Sequence, residues 1–249
     1  GKAYGSDSYP ITVKDEKESG CVLAYLIKGN GKNILVDTGQ GDEEWCREMH
    51  GQSSYTRPHE CELLPALAAH GVTPLSIDYI INTHLHHDHC WNNNLIPDRR
   101  IYVQKAEVEF ARNPLPCQWI YYEVPEIGMT PRWLKEEHRF EIVDGDVEIE
   151  DGIKLLRFRG HTPGSQGVLV NTTDGEYLIA GDTVNTYFAW NGSGVIKHFP
   201  NEVHISVADM YDDYAKIDRI APKVILPGHE YSVTEHWVYP IEEDMSMAD

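Results

Sequence analysis

The sequence predicts a mixed α/β fold in which β-sheets pack together and helices cover their outer faces. Short apolar runs of strand length occur in both halves of the chain, and segments with helical periodicity lie between them. Of the 249 residues, 41% are hydrophobic and 24% are charged, which is ordinary for a globular protein. A chain of this length can bury a substantial core, so we expect residues 1–249 to form a single domain.

Strands and helices are predicted to alternate in the first half of the chain. Four apolar runs have the length of strands, at residues 22–28, 33–37, 77–82 and 101–103. Gly29-Asn30-Gly31 separates the first two runs and predicts a hairpin turn. Apolar residues recur at helical spacing in two further segments, residues 60–70 and 105–112.

The second half begins with an irregular segment. Residues 112–139 contain four prolines and several aromatic residues, so we expect a long excursion over one edge of the core. Beyond it, four apolar runs predict strands, at residues 153–158, 167–171, 177–180 and 223–226. Residues 207–220 place their apolar side chains on one helical face and predict a helix.

Large apolar side chains from two regions are candidates for a substrate pocket. They are Trp119, Tyr121, Tyr122, Met129, Trp133, Tyr187, Phe188 and Trp190. They can line a pocket for an acyl chain or an aromatic ring, or they can pack the excursion or a subunit interface. The sequence leaves these alternatives open, and it also leaves open whether the chain forms a homodimer.

The charge of the chain excludes some partners. The formal net charge is -19, from 40 acidic and 21 basic residues. An acidic surface repels phosphate backbones and anionic headgroups, so we expect neither a nucleic-acid partner nor a membrane partner. A small neutral substrate suits this protein better than a polyanion.

The cysteines indicate a reducing compartment. Five cysteines are present, an odd number, and none forms a CxxC pair, so a disulfide framework is not expected. We therefore predict a cytoplasmic location. No apolar run approaches the roughly 18 residues that span a bilayer. The chain starts at Gly1 without an initiator Met, which leaves open whether a leader was removed.

Four side chains that bind metals lie within six residues of one another, namely His84, His86, Asp88 and His89. Residues two apart on a strand face the same way, so His84 and His86 can bind one ion together. Where the strand ends and turns, Asp88 and His89 can reach a second ion. His87 is left out, because its neighbours fill the ligand positions and its side chain should point away.

Three further candidate ligands follow predicted strands later in the chain. His161, Asp182 and His229 each lie beside a glycine, just past a strand end. A chain that turns tightly there can hold a loop side chain on a rigid scaffold. The sequence therefore predicts a metal centre assembled from distant segments.

These motifs resemble the metallo-β-lactamase superfamily, and the resemblance spans nearly the whole chain. The HxHxDH motif of that family is met by His84 to His89, and its Asp-Thr-Gly strand end by Asp37-Thr38-Gly39. The resemblance implies a four-layer αββα sandwich with two divalent metal ions at one edge. Zinc is expected, with iron, cobalt or manganese as alternatives.

The resemblance also implies how the ligands are shared. One ion would take His84, His86 and His161. The other would take Asp88, His89 and His229. Asp182 would bridge both ions, and Asp37 would support the centre from outside it.

Within the superfamily, the chain looks most like the N-acyl-homoserine-lactone lactonases and related small-lactone lactonases. The run Gly160-His161-Thr162-Pro163-Gly164 is similar to that group. Two alternatives are kept: a thioester hydrolase of the glyoxalase II type, and a mononuclear iron sulfur dioxygenase. Glyoxalase II has an added basic helical domain, which we do not expect after His229.

The lactonase resemblance implies a hydrolytic mechanism. A hydroxide held between the ions would attack the carbonyl carbon of a cyclic ester, and Asp88 would carry the proton to the leaving ring oxygen. The group often has a substrate-binding tyrosine three residues after the bridging aspartate, where this chain has Asn185. Either Asn185 or Tyr187 is expected to contact the substrate.

Overall fold

A computed structural model describes residues 21–241 and shows two five-stranded sheets in that part of the chain. The first sheet contains β1 (Tyr25–Gly29), β2 (Lys32–Val36), β3 (Tyr79–Ile81), β4 (Ile101–Gln104) and β5 (Phe140–Val143), in that order. The second sheet contains β6 (Val147–Glu150), β7 (Ile153–Arg157), β8 (Gln166–Thr172), β9 (Gly175–Gly181) and β10 (Val224–Pro227). Its spatial order is β10-β9-β8-β7-β6.

The two sheets differ in strand direction. In the first, β1 and β2 form an antiparallel hairpin, and β2 to β5 are parallel. In the second, β6 to β9 are antiparallel neighbours and β10 lies parallel to β9. The carboxyl ends of β7, β9 and β10 therefore point the same way, which brings the loops that follow them to one edge.

Helices connect and cover the sheets. The α-helices are α1 (Glu43–His50), α2 (Leu63–Ala69), α3 (His87–Cys90), α4 (Lys105–Ala111), α5 (Trp119–Tyr122), α6 (Tyr187–Asn191) and α7 (Val207–Ile220). Short 3-10 helices cover His59–Cys61, Pro74–Ser76, Asn93–Leu95, Pro116–Gln118, Pro125–Ile127, Trp133–Arg139 and Tyr231–Glu235. None of the helices within residues 21–241 combines the length and apolar character needed to cross a membrane.

Alternating strand side chains build three apolar layers. Ile34 and Val36 of β2 face a central core, where side chains of both sheets meet. Leu35, between them, faces the opposite way and packs with the first group of helices. The second sheet buries Leu156 and Leu178 against α7. Because one face of each sheet meets the other sheet and the opposite face meets helices, the predicted αββα sandwich is confirmed.

Elements with strong periodicity are found where the sequence predicts them. The helix expected over 207–220 has those bounds, and Ser206 caps it by accepting a hydrogen bond from the amide of Asp209 at 3.2 Å. The helix expected over 60–70 is shorter and starts at Leu63. Pro65 explains the difference, since proline fits the first turn of a helix but not its interior.

Several elements were missed by the sequence analysis, among them α1, β5 and β6. Helix α1 has a weak apolar pattern, although Asp42 caps it and Gly51 ends it in the left-handed conformation. Strands β5 and β6 form one edge of each sheet and are only partly buried. Edge strands have little buried surface, so the alternation that reveals a strand is weak there.

The excursion over residues 112–139 packs more tightly than its irregular pattern indicates. Tyr122 and Trp133 are 1% and 2% exposed and belong to the apolar layer outside the first sheet. Met129 is also buried. These three side chains therefore pack the excursion onto the core, which leaves Tyr121 at its surface as a candidate for a pocket wall.

A substitution at Gly164 tests how closely the loop after β7 packs on α4. A Cβ atom at this position would lie 2.0 Å from the amide nitrogen of Glu107, which is backbone and cannot swing aside. We expect Gly164→Ala to lower the free energy of unfolding by about 1–3 kcal/mol, measured by urea denaturation. Gly29→Ala is the matched control, because a Cβ atom there meets nothing within 4 Å. Equal stabilities of the two variants would contradict the packing described.

Candidate metal centre

The predicted ligands converge at the edge where four strands end. His84 and His86 follow β3, His161 follows β7, Asp182 follows β9, and His229 follows β10. All of them except Asp88 and His229 are under 9% exposed. The sandwich thus brings together side chains that are up to 145 residues apart in the sequence.

The first group of donors consists of His84, His86 and His161. The Nε2 atom of His161 lies 3.1 Å from Nε2 of His84 and 3.2 Å from Nδ1 of His86. Zinc–nitrogen bonds of about 2.0–2.1 Å place the donors of a tetrahedral ion a little over 3 Å apart. The three nitrogens therefore have the spacing of ligands around one ion.

The second group consists of Asp88, His89 and His229. The Nε2 atoms of His89 and His229 are 3.3 Å apart. Oδ2 of Asp88 lies 3.7 Å from Nε2 of His89 and 3.6 Å from Nε2 of His229. These distances also fit one ion.

Asp182 lies between the two groups. Its Oδ2 atom is 3.0 Å from Nε2 of His229 and 3.7 Å from Nε2 of His161, and its Oδ1 atom is 3.2 Å from Nε2 of His89. Oδ1 is buried and has no hydrogen-bond partner in the part of the chain that the structure describes. A carboxylate in this position can bridge two cations.

Hydrogen bonds on the outer side of each ring determine which nitrogen faces the centre. The outer nitrogens of His84, His86, His89, His161 and His229 lie 2.7–3.1 Å from oxygen acceptors, which are Thr83 Oγ1, Gln118 Oε1, Asp37 Oδ2, Val203 O and Cys21 O. A neutral ring that donates through its outer nitrogen has an unprotonated inner nitrogen. Burial lowers the pKa of all three histidines of the first group, so their inner nitrogens, 3.1–3.2 Å apart, have no proton to share, and a cation between them fits where a hydrogen bond does not.

Asp37 holds both ends of the ligand segment from Thr83 to His89, on the side away from the donors. Its carboxylate accepts from the amide and the hydroxyl of Thr83, both at 2.7 Å, and from Nδ1 of His89 at 2.8 Å. Its backbone is left-handed, with φ of 59°, which Asp and Asn tolerate better than other non-glycine residues. The turn after β2 thus places the buried carboxylate of Asp37 within hydrogen-bond distance of the ligand segment that follows β3.

The charges around the donors favour a bound cation. Burial lowers the pKa of His84 and of His86, which keeps both rings neutral. Burial would raise the pKa of Asp182, but the imidazoles of His229 and His89 hold it well below its usual range. Two ionised carboxylates at a buried site attract positive charge, and divalent ions supply it.

Two buried acids that the sequence analysis missed hold the ligand loops. Glu107 of α4 accepts from the amide of Leu85 at 2.9 Å and from the hydroxyls of Tyr122 and Thr162. Asp213 of α7 accepts from the amides of Arg159 and Gly160, at 2.8 and 2.7 Å. Acidic residues within predicted helices gave no signal of this role, since most such residues are exposed.

Gly228 is required by the close approach of β10 to Asp182. A Cβ atom at position 228 would lie 2.2 Å from Oδ1 of Asp182. The sequence Pro227-Gly228-His229 at the end of β10 therefore serves two purposes, because Gly228 makes room for the carboxylate of Asp182 and places His229 beside it.

The centre opens on one side. The side chains of Asp88 and His229 are 18% and 23% exposed, whereas those of His84, His89 and His161 are nearly inaccessible. The ring of Tyr121 stands beside His86, with their centroids 5.1 Å apart. A substrate can therefore approach over Asp88 and His229, with Tyr121 at the rim.

The two residues expected to contact substrate differ in their surroundings. The Tyr187 hydroxyl donates to the carbonyl oxygen of Ile225 at 2.9 Å, and its ring packs on the central core. Asn185 is held beside the centre by the amide of His229, which donates to its carbonyl oxygen at 2.8 Å. The side-chain oxygen of Asn185 is buried and has no partner.

His87 is placed as the sequence analysis expected. Its ring belongs to neither group of donors and stacks instead on His50, with the ring centroids 3.7 Å apart. Burial lowers the pKa of His87 to about 4, so its ring is neutral near pH 7. This segment therefore presents alternate residues to two different sides of the loop.

The fold and the donors together define the class of protein: an αββα sandwich with a centre for two divalent metal ions at one edge. The family model described as the metallo-beta-lactamase superfamily matches residues 21–229. The chain belongs to the metallo-beta-lactamase superfamily.

Curated relatives of this chain are named N-acyl homoserine lactonase. One from Bacillus sp is 29% identical over 74% of this chain and 72% of its own length. One from Bacillus cereus is 31% identical over 61% of this chain and 58% of its own length. One from Bacillus thuringiensis is 26% identical over 84% of this chain and 81% of its own length.

Solved structures show the same fold. An N-acyl homoserine lactone hydrolase with the product N-hexanoyl-L-homoserine at its catalytic metal centre is 23% identical, with a TM-score of 0.66 over 88% of this chain and 85% of that chain. AidC, described as a dizinc quorum-quenching lactonase, is 17% identical, with a TM-score of 0.58 over 85% of this chain and 73% of that chain.

The role of Asp37 can be tested without changing the backbone. We expect Asp37→Asn to lower zinc affinity about 10–100-fold, because the amide accepts more weakly from His89 and leaves that ring less well oriented. Competition with a chromophoric chelator measures the affinity. Asp98→Asn is the control, since Asp98 is exposed and also left-handed, with φ of 56°. Unchanged affinity in Asp37→Asn would show that the contact is dispensable.

Loss of a ligand from the first group should reduce metal content. We expect His161→Ala to lower the zinc content by about one equivalent per chain, because two imidazoles hold an ion far less well than three protein ligands. Inductively coupled plasma mass spectrometry measures the content. The control is His59→Ala, whose side chain is 81% exposed. A His161→Ala protein with the zinc content of the control would remove His161 from the centre.

Proposed function

We propose that this protein is a metal-dependent hydrolase that opens a small lactone, most specifically an N-acyl homoserine lactone. The observation that carries the proposal is the position of Asp182, which contacts donors of both groups and so defines a two-ion centre. Relatives named N-acyl homoserine lactonase support the choice of substrate class. The neutral lactone ring also suits a chain with a net charge of -19.

The donors present fit two divalent ions, and zinc is the metal we propose. Imidazole and carboxylate ligands suit zinc, and iron, cobalt or manganese can take the same donors. One ion would be held by His84, His86 and His161, the other by Asp88, His89 and His229, with Asp182 shared. Such a pair of ions supplies an activated water and a Lewis acid for the carbonyl oxygen.

Asp88 is proposed to move the proton. Its carboxylate lies on the open side of the centre, within 3.6–3.7 Å of Nε2 of His89 and of His229. Ring opening leaves an alkoxide on the former ring oxygen, which needs a proton to depart. An ionised carboxylate at this position can accept a proton from the attacking water and donate it to that oxygen.

Asn185 is the residue we propose to orient the lactone. Its side-chain oxygen has no hydrogen-bond partner within residues 21–241, which supports a contact of this side chain with substrate, whereas the Tyr187 hydroxyl is already bonded to Ile225. A contribution of Tyr187 stays a prediction and would require its hydroxyl to leave that bond. Tyr121 would form an apolar wall beside the acyl chain.

The two alternative reactions predict different metal sites and substrates. A sulfur dioxygenase uses one iron, whereas the second group of Asp88, His89 and His229 supports a second ion here. A thioesterase of the glyoxalase II type would use the same donors, so substrate tests must separate it from a lactonase.

The location of the protein and its partners are proposed from the sequence. None of the five cysteines is in a disulfide, which supports a reducing compartment such as the cytoplasm. The acidic composition supports the absence of nucleic-acid and membrane partners.

A hydrolysis panel tests the proposed reaction. Zinc-loaded protein would be offered acyl-homoserine lactones of several chain lengths, an aromatic lactone, a glutathione thioester and a β-lactam, with ring opening followed through proton release. We expect turnover of the acyl-homoserine lactones above the other compounds. Cleavage of the thioester without opening of any lactone would replace the lactonase by the thioesterase.

Replacement of Asp88 should separate catalysis from metal binding by the first group. We expect Asp88→Asn to retain the ion held by His84, His86 and His161 and to reduce kcat about 10²–10⁴-fold, because the amide cannot carry a proton. Metal content and lactone hydrolysis are measured on the same sample. Asp151→Asn, an exposed position, is the control. Full turnover by Asp88→Asn would remove the proposed proton transfer.

A further inference from the structure

A second cluster of metal-binding side chains lies outside the two-ion centre. His50 is the last residue of α1, His87 is the first residue of α3, and Glu123 directly follows α5. The side chains of His50 and Glu123 are 3% and 1% exposed, and His87 is 5% exposed. Three helices thus direct two imidazoles and a carboxylate into one buried position.

The spacing of the three side chains fits a single ion. Nε2 of His50 lies 3.0 Å from Oε1 of Glu123. The ring centroids of His50 and His87 are 3.7 Å apart, so the two imidazoles are direct neighbours. One ligand atom from each of the three residues lies within 4.8 Å of the other two, as is also true of both groups of the two-ion centre.

Hydrogen bonds within the protein do not satisfy this cluster. Among the described residues 21–241, Oε2 of Glu123 and Nδ1 of His87 are buried and have no hydrogen-bond partner, although Trp45 donates to Oε1 of Glu123 at 2.9 Å. Within residues 21–241, His50 is the residue that forms a salt bridge with Glu123. The contact with His50 leaves both of those atoms unsatisfied, which is unfavourable for buried polar groups.

The backbone at Glu123 supports a specific role for its carboxylate. Glu123 is left-handed, with φ of 53°, a conformation that is uncommon for a glutamate. Glycine would adopt it more easily at the end of a helix. A glutamate there directs a buried acidic group to His50, and the Trp45 hydrogen bond orients that group in the way that outer-shell donors orient metal ligands.

We propose that His50, His87 and Glu123 form a mononuclear site for a third divalent ion of the zinc type. Two imidazoles and one glutamate are a known donor set for zinc, and a water molecule completes the four-coordinate arrangement. The ion would neutralise Glu123 and give partners to both unsatisfied atoms. It would also tie α1 to α3, the helix that carries Asp88 and His89 of the two-ion centre.

Zinc stoichiometry tests this site directly. Full-length protein would be equilibrated with zinc buffered in the low micromolar range, and bound metal would be counted by mass spectrometry. We expect about three equivalents per chain in the wild type and about two in Glu123→Gln and in His50→Gln. His59→Gln, at an exposed histidine, should keep the wild-type count. Two equivalents in the wild type, or three in both cluster variants, would overturn the proposal.

A second measurement separates this site from the two-ion centre. In protein carrying His161→Ala and Asp182→Asn, the two-ion centre is impaired, and circular dichroism would check that the fold is kept. The added change Glu123→Gln should then remove about one further equivalent of zinc. An unchanged zinc count on adding Glu123→Gln would overturn the third site, whatever the variants reveal about lactone hydrolysis.

Discussion

Two carboxylates and five imidazoles face one another at the edge of the sandwich. Their close packing is stable only if positive charge lies between them, and the other features of the site depend on this constraint. Each inner nitrogen is 3.0–3.7 Å from another donor, and each outer nitrogen is occupied by an oxygen acceptor. Without cations, the first group of donors places lone pairs against lone pairs, and the carboxylates are charged in a largely water-excluded site. With two divalent ions present, the same atoms would become metal ligands.

The sandwich makes that arrangement rigid. Short loops after β3, β7, β9 and β10 reach the same edge, and buried acids hold the loops from behind. Asp37 binds Thr83 and His89, Glu107 binds Leu85 and Thr162, and Asp213 binds the chain just before His161. Hydrogen bonds to buried acceptors are strong in a low-dielectric interior, so the donors are positioned before metal arrives. Metal binding, and with it the proposed hydrolysis, depends on this preorganisation of the donors.

The segment from His86 to His89 contributes side chains to two different polar clusters, the two-ion centre and the cluster of His50, His87 and Glu123. His86 and Asp88 face the two-ion centre, whereas His87 between them turns towards α1. The helix that begins at His87 therefore has the two-ion centre on one side and a second polar cluster on the other. Few apolar contacts are available to a helix of four residues, so polar contacts have a large share in its position.

The sequence by itself determined the strands with clear alternation, the long helix α7 and the seven side chains that converge at one edge, because these depend on periodicity and on residue chemistry at strand ends. The sandwich followed from the family resemblance that those motifs carry. It did not reveal α1, β5 or β6, whose apolar patterns are weak. Only the tertiary structure decided that Tyr187 bonds Ile225, that Glu107 holds the ligand loops, and that His50 meets Glu123. These contacts join residues 22–73 positions apart, and such pairings follow from packing, which local sequence does not encode.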